Sequence, residues 1–219
     1  MAGKAALKEK AVEPDLKACV FTGRYDSRCM SYLWQAAAAF SARSHKNQLR
    51  KDGVTPYASH PVRVALTTAM VFGAQDEELL AAALLHDTIE DTATDYDELK
   101  ELFGTRVADL VACVSKDMRM EEDAREQAYD DQLAAGPWEA RLIKLADVFD
   151  NMSDALDDAA RLKDTMKKAE RAIALAKDDP QLKMASEQVR RLMKELKGGG
   201  KKNRARGTLK KREMVGKKK

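Results

Sequence analysis

The sequence predicts an all-α fold: one helical domain followed by a flexible basic tail. Two observations carry this. The chain is rich in Ala, Leu, Lys, Asp and Glu, while aromatic residues make up only 5 %, a composition typical of helices. Apolar residues recur at helical spacing in segment after segment, each bounded by a capping residue, a Gly or a Pro. No stretch reads convincingly as a strand, and no internal repeat is found. A length of 219 residues suits one domain with an appendage.

Taken in order, residues 1–25 have Pro14, Gly23 and weak periodicity, and read as a partly irregular leader to a body over 26–197. Ser27 to about Lys51 reads as a helix with Tyr32, Leu33, Ala36, Ala37 and Phe40 on its apolar side, stopped by Asp52-Gly53. A loop, 54–59, follows. His60-Pro61 opens the next helix, with Pro61 at the tolerated first position, and Gly73 closes it. Asp76 is placed as the N-cap of a helix whose first turn is acidic and whose body, Leu79 to Leu85, is apolar. Asp95–Phe103 and Arg106–Val114 read as short helices parted by Gly104. Residues 116–131 are strongly charged with little apolar periodicity, and read as a mobile or solvent-facing segment suited to a lid. After Gly136-Pro137 a helix runs from Trp138 to about Leu156. Residues 158–177 and 180–197 form two more, broken at Asp178-Asp179-Pro180.

The net charge of +3 hides a split. Residues 198–219 hold ten Lys or Arg against Glu213, a net of +9, which leaves −6 on residues 1–197. After Gly198-Gly199-Gly200 the basic run reads as a disordered tail, able to make a weak, salt-dependent contact with nucleic acid or the ribosome, or to act only as a solubilising tail. The three cysteines, Cys19, Cys29 and Cys113, are odd in number and lack metal-type spacing, which fits a reducing compartment. No apolar run approaches the roughly 18 residues of a membrane span, and no secretory signal follows Met1. The expected location is the cytoplasm, with no membrane partner. Oligomeric state is left open.

The chemistry concentrates in Leu84-Leu85-His86-Asp87-Thr88-Ile89-Glu90-Asp91-Thr92. The apolar helix runs into His86-Asp87 with no Gly or Pro to stop it. Burying a carboxylate there costs several kcal/mol unless something neutralises it, and a divalent metal does so while accepting imidazole as well. On a continuous helix His86 and Glu90 share one face, and Asp87 and Asp91 the next. The missing ligands lie elsewhere. His60 sits at a helix start, able to point into a cleft, and Asp147 follows an apolar run. Lys144, Asp147, Asn151 and Asp154 make one polar stripe at spacings of three, four and three; a plain Lys144–Asp147 ion pair is the simpler account of it.

His60, His86-Asp87 and Asp147 resemble the H…HD…D pattern of the HD-domain metal-dependent phosphohydrolases. Arg50-Lys51-Asp52-Gly53, Pro56-Tyr57 and His60-Pro61 resemble the RK-x-G-x-PY-x-x-HP segment of the alarmone (p)ppGpp hydrolases. The run from Ala82 to Thr92 resembles their AALLHDxxEDT, and Lys144 to Met152 their KLADxxxNM. The three segments stand in the right order over about 40–155, with no room for a synthetase domain. The chain thus resembles the stand-alone small alarmone hydrolases, the group that includes the animal homologue. It departs from the long bifunctional enzymes in one extra residue at Val54-Thr55 and in Ser153-Asp154 after the Asn151 motif. Asp150 stands where His or Tyr is common.

The resemblance implies an HD-domain helical bundle with one Mn²⁺ ion, other first-row divalent metals being acceptable, held by His60, His86, Asp87 and Asp147. Glu90 and Asp91 are then the candidates for orienting and deprotonating water. Arg50, Lys51 and Asn151 would meet a guanine nucleotide, with Lys144 and Lys116 weaker candidates and His45 orienting the Arg50 region. The implied reaction is hydrolysis of the 3′-pyrophosphate of ppGpp or pppGpp to GDP or GTP. Two other readings stay open: a metal-dependent phosphatase on another nucleotide such as NADPH, and a regulatory or antitoxin module with a nucleic-acid-binding tail.

Overall fold

The computed structural model describes residues 32–156 and 158–198. The N-terminal segment and the basic run from 199 onward lie outside these residues, as do Cys19 and Cys29. Among the described residues the only backbone pairing outside helices and turns is a single bridge, Leu49 to Pro56.

Among the described residues are ten α-helices: α1 Leu33–Ser44, α2 Ser59–Leu66, α3 Glu77–Leu85, α4 Thr88–Asp91, α5 Tyr96–Phe103, α6 Thr105–Val114, α7 Glu122–Ala135, α8 Trp138–Asp154, α9 Ala159–Leu175 and α10 Lys183–Gly198. Helix α3 is central. Its Leu79 and Ala81 to Leu85 are all buried, and it packs on α1, α2, α6 and α8. The small side chains Ala81, Ala82 and Ala83 allow close approach on several sides at once. Helix α8 is the second axis, covered by α9, α10 and α2. Asp76 caps α3 by accepting Leu79 N–H at 2.8 Å, and Asp95 does the same for α5 with Glu98 N–H at 2.9 Å, as cap chemistry predicts. Gly104, at φ 89°, makes the α5–α6 corner with a backbone that suits glycine. Helix α2 continues into a π-helical turn, Thr67–Val71.

Three sequence expectations need correction. The first helix ends at Ser44 rather than near Lys51. The chain turns there because Asn47 adopts φ 66° and the His45 ring stacks on Tyr57 at 4.6 Å. Residues 45–58 form a folded loop in which the Asp52 carboxylate accepts Val54 and Thr55 N–H. The second correction concerns His86-Asp87, where the helix does not run through. Two side chains take the carbonyls that would continue α3: His86 Nδ1–H donates to Ala83 O at 2.9 Å, and Thr88 Oγ1 to Leu85 O at 2.7 Å. Asp87 then starts α4. The third is the segment 116–131. Its second half is helical, within α7, and Tyr129 and Leu133 one turn apart are buried. They anchor an otherwise charged helix to the core.

Candidate metal centre

Four donors meet at the floor of a cleft of about 380 Å³. They come from three parts of the fold: His60 from the first turn of α2, His86 and Asp87 from the α3–α4 break, Asp147 from the middle of α8. One ligand atom each of His60, His86 and Asp147 lies within 4.8 Å of the other two. Asp87 joins through separate oxygens, 3.5 Å from His60 Nε2 and 3.0 Å from His86 Nε2. Asp147 Oδ1 lies 3.3 Å from His60 Nε2 and 4.0 Å from His86 Nε2.

The imidazoles are oriented as metal ligands require. The carbonyl of Ala83 can only accept, so His86 carries its proton on Nδ1. Its buried Nε2 has no hydrogen-bond partner and presents a lone pair to the two carboxylates. His60 Nδ1 lies 2.6 Å from Asp150 Oδ2, which likewise places its proton there and turns Nε2 inward. A carboxylate behind a histidine is the arrangement that fixes tautomer and ring in metal sites. Lone pairs facing carboxylates repel one another unless a cation sits among them. The His60 imidazole feels the same demand for positive charge: burial would lower its pKa, yet the hydrogen bonds and charges of Asp147, Asp150 and Asp87 raise it to about 9. Burial likewise pushes the Asp87 and Asp147 carboxyls up, but is outweighed, by the imidazoles at Asp87 and by Lys144 with the imidazoles at Asp147; both are held well below the usual carboxylate range. Two imidazoles and two carboxylates fit one divalent cation of the first row.

Around this ring the structure places the other predicted residues. Glu90 and Asp91 stand in α4 and line the cleft. Glu90 Oε2 accepts Lys116 N–H at 3.0 Å. Burial, helped by the charge of Asp87, raises both carboxyls above their ordinary values. They are not reached through a continuous helical face, since the break at 86–87 intervenes. Lys144 Nζ pairs with Asp147 Oδ2 at 2.9 Å and rests on the Tyr129 ring, so the ammonium is committed to Asp147. Asn151 Nδ2 donates to Asp147 Oδ1. Arg50 is half-wrapped: Nε donates to Asp154 Oδ2 at 3.0 Å, Nη2 to Asn151 Oδ1 at 2.8 Å, and the guanidinium lies over the Tyr57 ring. Lys51 is exposed at the rim and Lys116 lines the opposite side, its ammonium paired with Glu126. His45 is buried against Gln48 and Tyr57, away from the four donors.

Several functional positions were not assigned from the sequence. Tyr57 Oη lies 2.7 Å from Asp87 Oδ2 and 2.9 Å from Asp91 Oδ2, joining a candidate ligand to a candidate base. Arg63 holds Asp150 with two hydrogen bonds. Its place one turn after His60, and that of Asp150 one turn after Asp147, were the available signals. Arg161, Asp164, Thr165 and Lys168 line the cleft from α9; their spacing of three, four and seven is one helical stripe.

Residues 37–178 match the family model described as HD domain. The chain is 42 % identical over 119 residues to the Homo sapiens guanosine-3′,5′-bis(diphosphate) 3′-pyrophosphohydrolase MESH1, 54 % of this chain and 66 % of that relative. It is 40 % identical over 116 residues to the Danio rerio protein of the same name, 52 % of this chain and 64 % of the relative. The matched segment thus spans just under two thirds of these relatives. A solved structure, reported as a metazoan ortholog of SpoT that hydrolyzes ppGpp, superposes with a TM-score of 0.65 at 28 % identity, over 75 % of this chain and 97 % of that one. No helix among the described residues is long and apolar enough to cross a membrane. With two histidines and two aspartates from three parts of the fold gathered in one cleft, and a family model matched over 37–178, this chain belongs to the HD-domain family.

Proposed function

We propose that the protein is a Mn²⁺-dependent hydrolase that removes the 3′-pyrophosphate of ppGpp or pppGpp, giving GDP or GTP and pyrophosphate. The observation that supports this most is the convergence, in one cleft, of the four-donor ring with a partly held arginine, Arg50, and the raised carboxyls of Glu90 and Asp91. The names of the relatives point to the same substrate.

In this reading His60, His86, Asp87 and Asp147 hold the ion. The ion, when bound, lowers the pKa of water and offsets charge on phosphorus. Glu90 and Asp91 supply the proton acceptor. A carboxyl raised by burial is a stronger base than one in water, and general-base help is worth typically about 10²–10⁴-fold. Lys116 N–H steadies one oxygen of Glu90, and the other makes no hydrogen bond among the described residues. Tyr57 keeps Asp91 beside Asp87. Arg50, clamped at its edge by Asp154 and Asn151, offers the face opposite Tyr57 to the guanine base. Lys51 lies beside it for phosphate. These cations matter because the substrate is heavily anionic and residues 1–197 carry a net −6. Lys144 acts through Asp147, keeping that carboxylate charged.

The test is release of pyrophosphate from ppGpp by the purified protein with Mn²⁺ and with EDTA, beside release of phosphate from NADPH. Turnover of ppGpp that needs Mn²⁺ is the expected result. A folded, Mn²⁺-loaded protein that releases no pyrophosphate from ppGpp rules the assignment out.

A further inference from the structure

Seven side chains in and behind the cleft close into one circuit. His60 Nδ1–H donates to Asp150, which is gripped by Arg63 through Nε at 2.6 Å and Nη2 at 2.9 Å. Arg63 Nη2 also lies 3.3 Å from Asp154 Oδ1. The other oxygen of Asp154 accepts from Arg50 Nε, Arg50 Nη2 donates to Asn151, and Asn151 donates to Asp147. Asp147 Oδ1 faces His60 Nε2 and completes the loop.

Nearly every member uses both of its polar ends. Asp154 gives one oxygen to each arginine. Asn151 gives its oxygen to Arg50 and its amide to Asp147. Rotating any one of these side chains therefore breaks two neighbours together, so the circuit has few independent arrangements. An ion at the four-donor ring fixes His60 and Asp147, on one side of the loop. A base laid on Arg50 fixes the opposite side. Each ligand orders groups that the other needs, and ordering done once is not repeated for the second ligand.

We propose that Arg63 and Asp154 couple the ion site to the nucleotide site, so that occupation of either tightens the other. This rests on the reading of Arg50 as the base-binding group. Arg63 and Asp154 are positioning residues: neither is among the four donors. Arg63 is 37 % exposed, so it can be changed without opening a hole in the core.

Guanosine is the probe, because it has no phosphate to touch the ion, and 2′,3′-dideoxyguanosine is run beside it to remove the hydroxyls that could; the gain that persists without them must pass through the protein. The full chain is titrated with guanosine by calorimetry, once in Mn²⁺ and once in EDTA. The expected gain with Mn²⁺ is on the order of tenfold in affinity. Reciprocity requires the same factor for Mn²⁺ when guanosine is saturating, read from the electron-spin signal of free Mn²⁺. Arg63→Gln and Asp154→Asn should each bring the factor towards one while still binding Mn²⁺ alone and melting cooperatively. Equal guanosine affinity in Mn²⁺ and EDTA overturns the proposal, as does absence of guanosine binding or an undiminished factor in both variants. Pyrophosphate release from ppGpp in the same preparations separates the two readings. Turnover without coupling removes this inference alone; coupling without turnover removes only the assigned reaction.

Discussion

At the floor of the cleft the side chains of His60, His86, Asp87 and Asp147 are 2 %, 4 %, 18 % and 13 % exposed. At its mouth and just beyond it, Asp164 and Lys168 of α9 are 59 % and 50 % exposed, and Arg171, which ties α9 to Glu126 and Asp130 of α7, is 42 % exposed. Both regions are built from acids and bases in contact. Water makes the difference. At the mouth it screens each charge, and such pairs are worth about 0–1 kcal/mol. At the floor little of it reaches the side chains, and taking away one partner leaves another charge buried alone, which costs roughly 3–5 kcal/mol. For stability, substitution is therefore costly at the floor and cheap at the mouth.

The largest effect should follow Asp147→Ala. It removes a donor from the ring and leaves the Lys144 ammonium without its carboxylate. Mn²⁺ binding and turnover should both vanish, and urea unfolding should show a loss of about 3–5 kcal/mol. Native Mn²⁺ affinity in this variant would mean that the floor is not a metal ring. Next come Glu90→Gln and Asp91→Asn, which should keep Mn²⁺ affinity while kcat falls, by about 10²–10⁴-fold for the residue that takes the proton. If both variants stay fully active, the base chemistry assigned to α4 is wrong. Asp150→Asn, behind His60, should weaken Mn²⁺ by about 10–100-fold, seen as a shifted isotherm with the same stoichiometry. The smallest effect belongs to the mouth. Arg171→Ala should change unfolding free energy by under about 1 kcal/mol and leave kcat as it is. A loss as large as that of Asp147→Ala would erase the distinction between the two regions.

The helices were legible because their apolar spacing and caps are local signals: Asp76 acts as an N-cap where the sequence placed it, and Asp95, read as the first residue of its helix, turns out to be the cap. The four donors were legible because each belongs to a short motif. The break at His86-Asp87 was not, since it depends on side chains bonding to backbone carbonyls rather than on Gly or Pro. Helix α7 was hidden by its charge, with only Tyr129 and Leu133 facing the core. The partners of Asp150 lie 90 and 87 residues away in sequence, and nothing local marks them. Asp150 was noted only as a departure from the family pattern, yet it is what orients His60.

The lone pair on His86 Nε2 has a consequence beyond turnover. A buried polar atom left without a partner costs about 1–3 kcal/mol, and any ligand that binds the native state alone adds stability in proportion to the logarithm of its concentration. Cells short of the ion would then hold a polypeptide that opens more often and is cleared sooner by proteases. Metal supply would set the abundance of this protein as well as its rate.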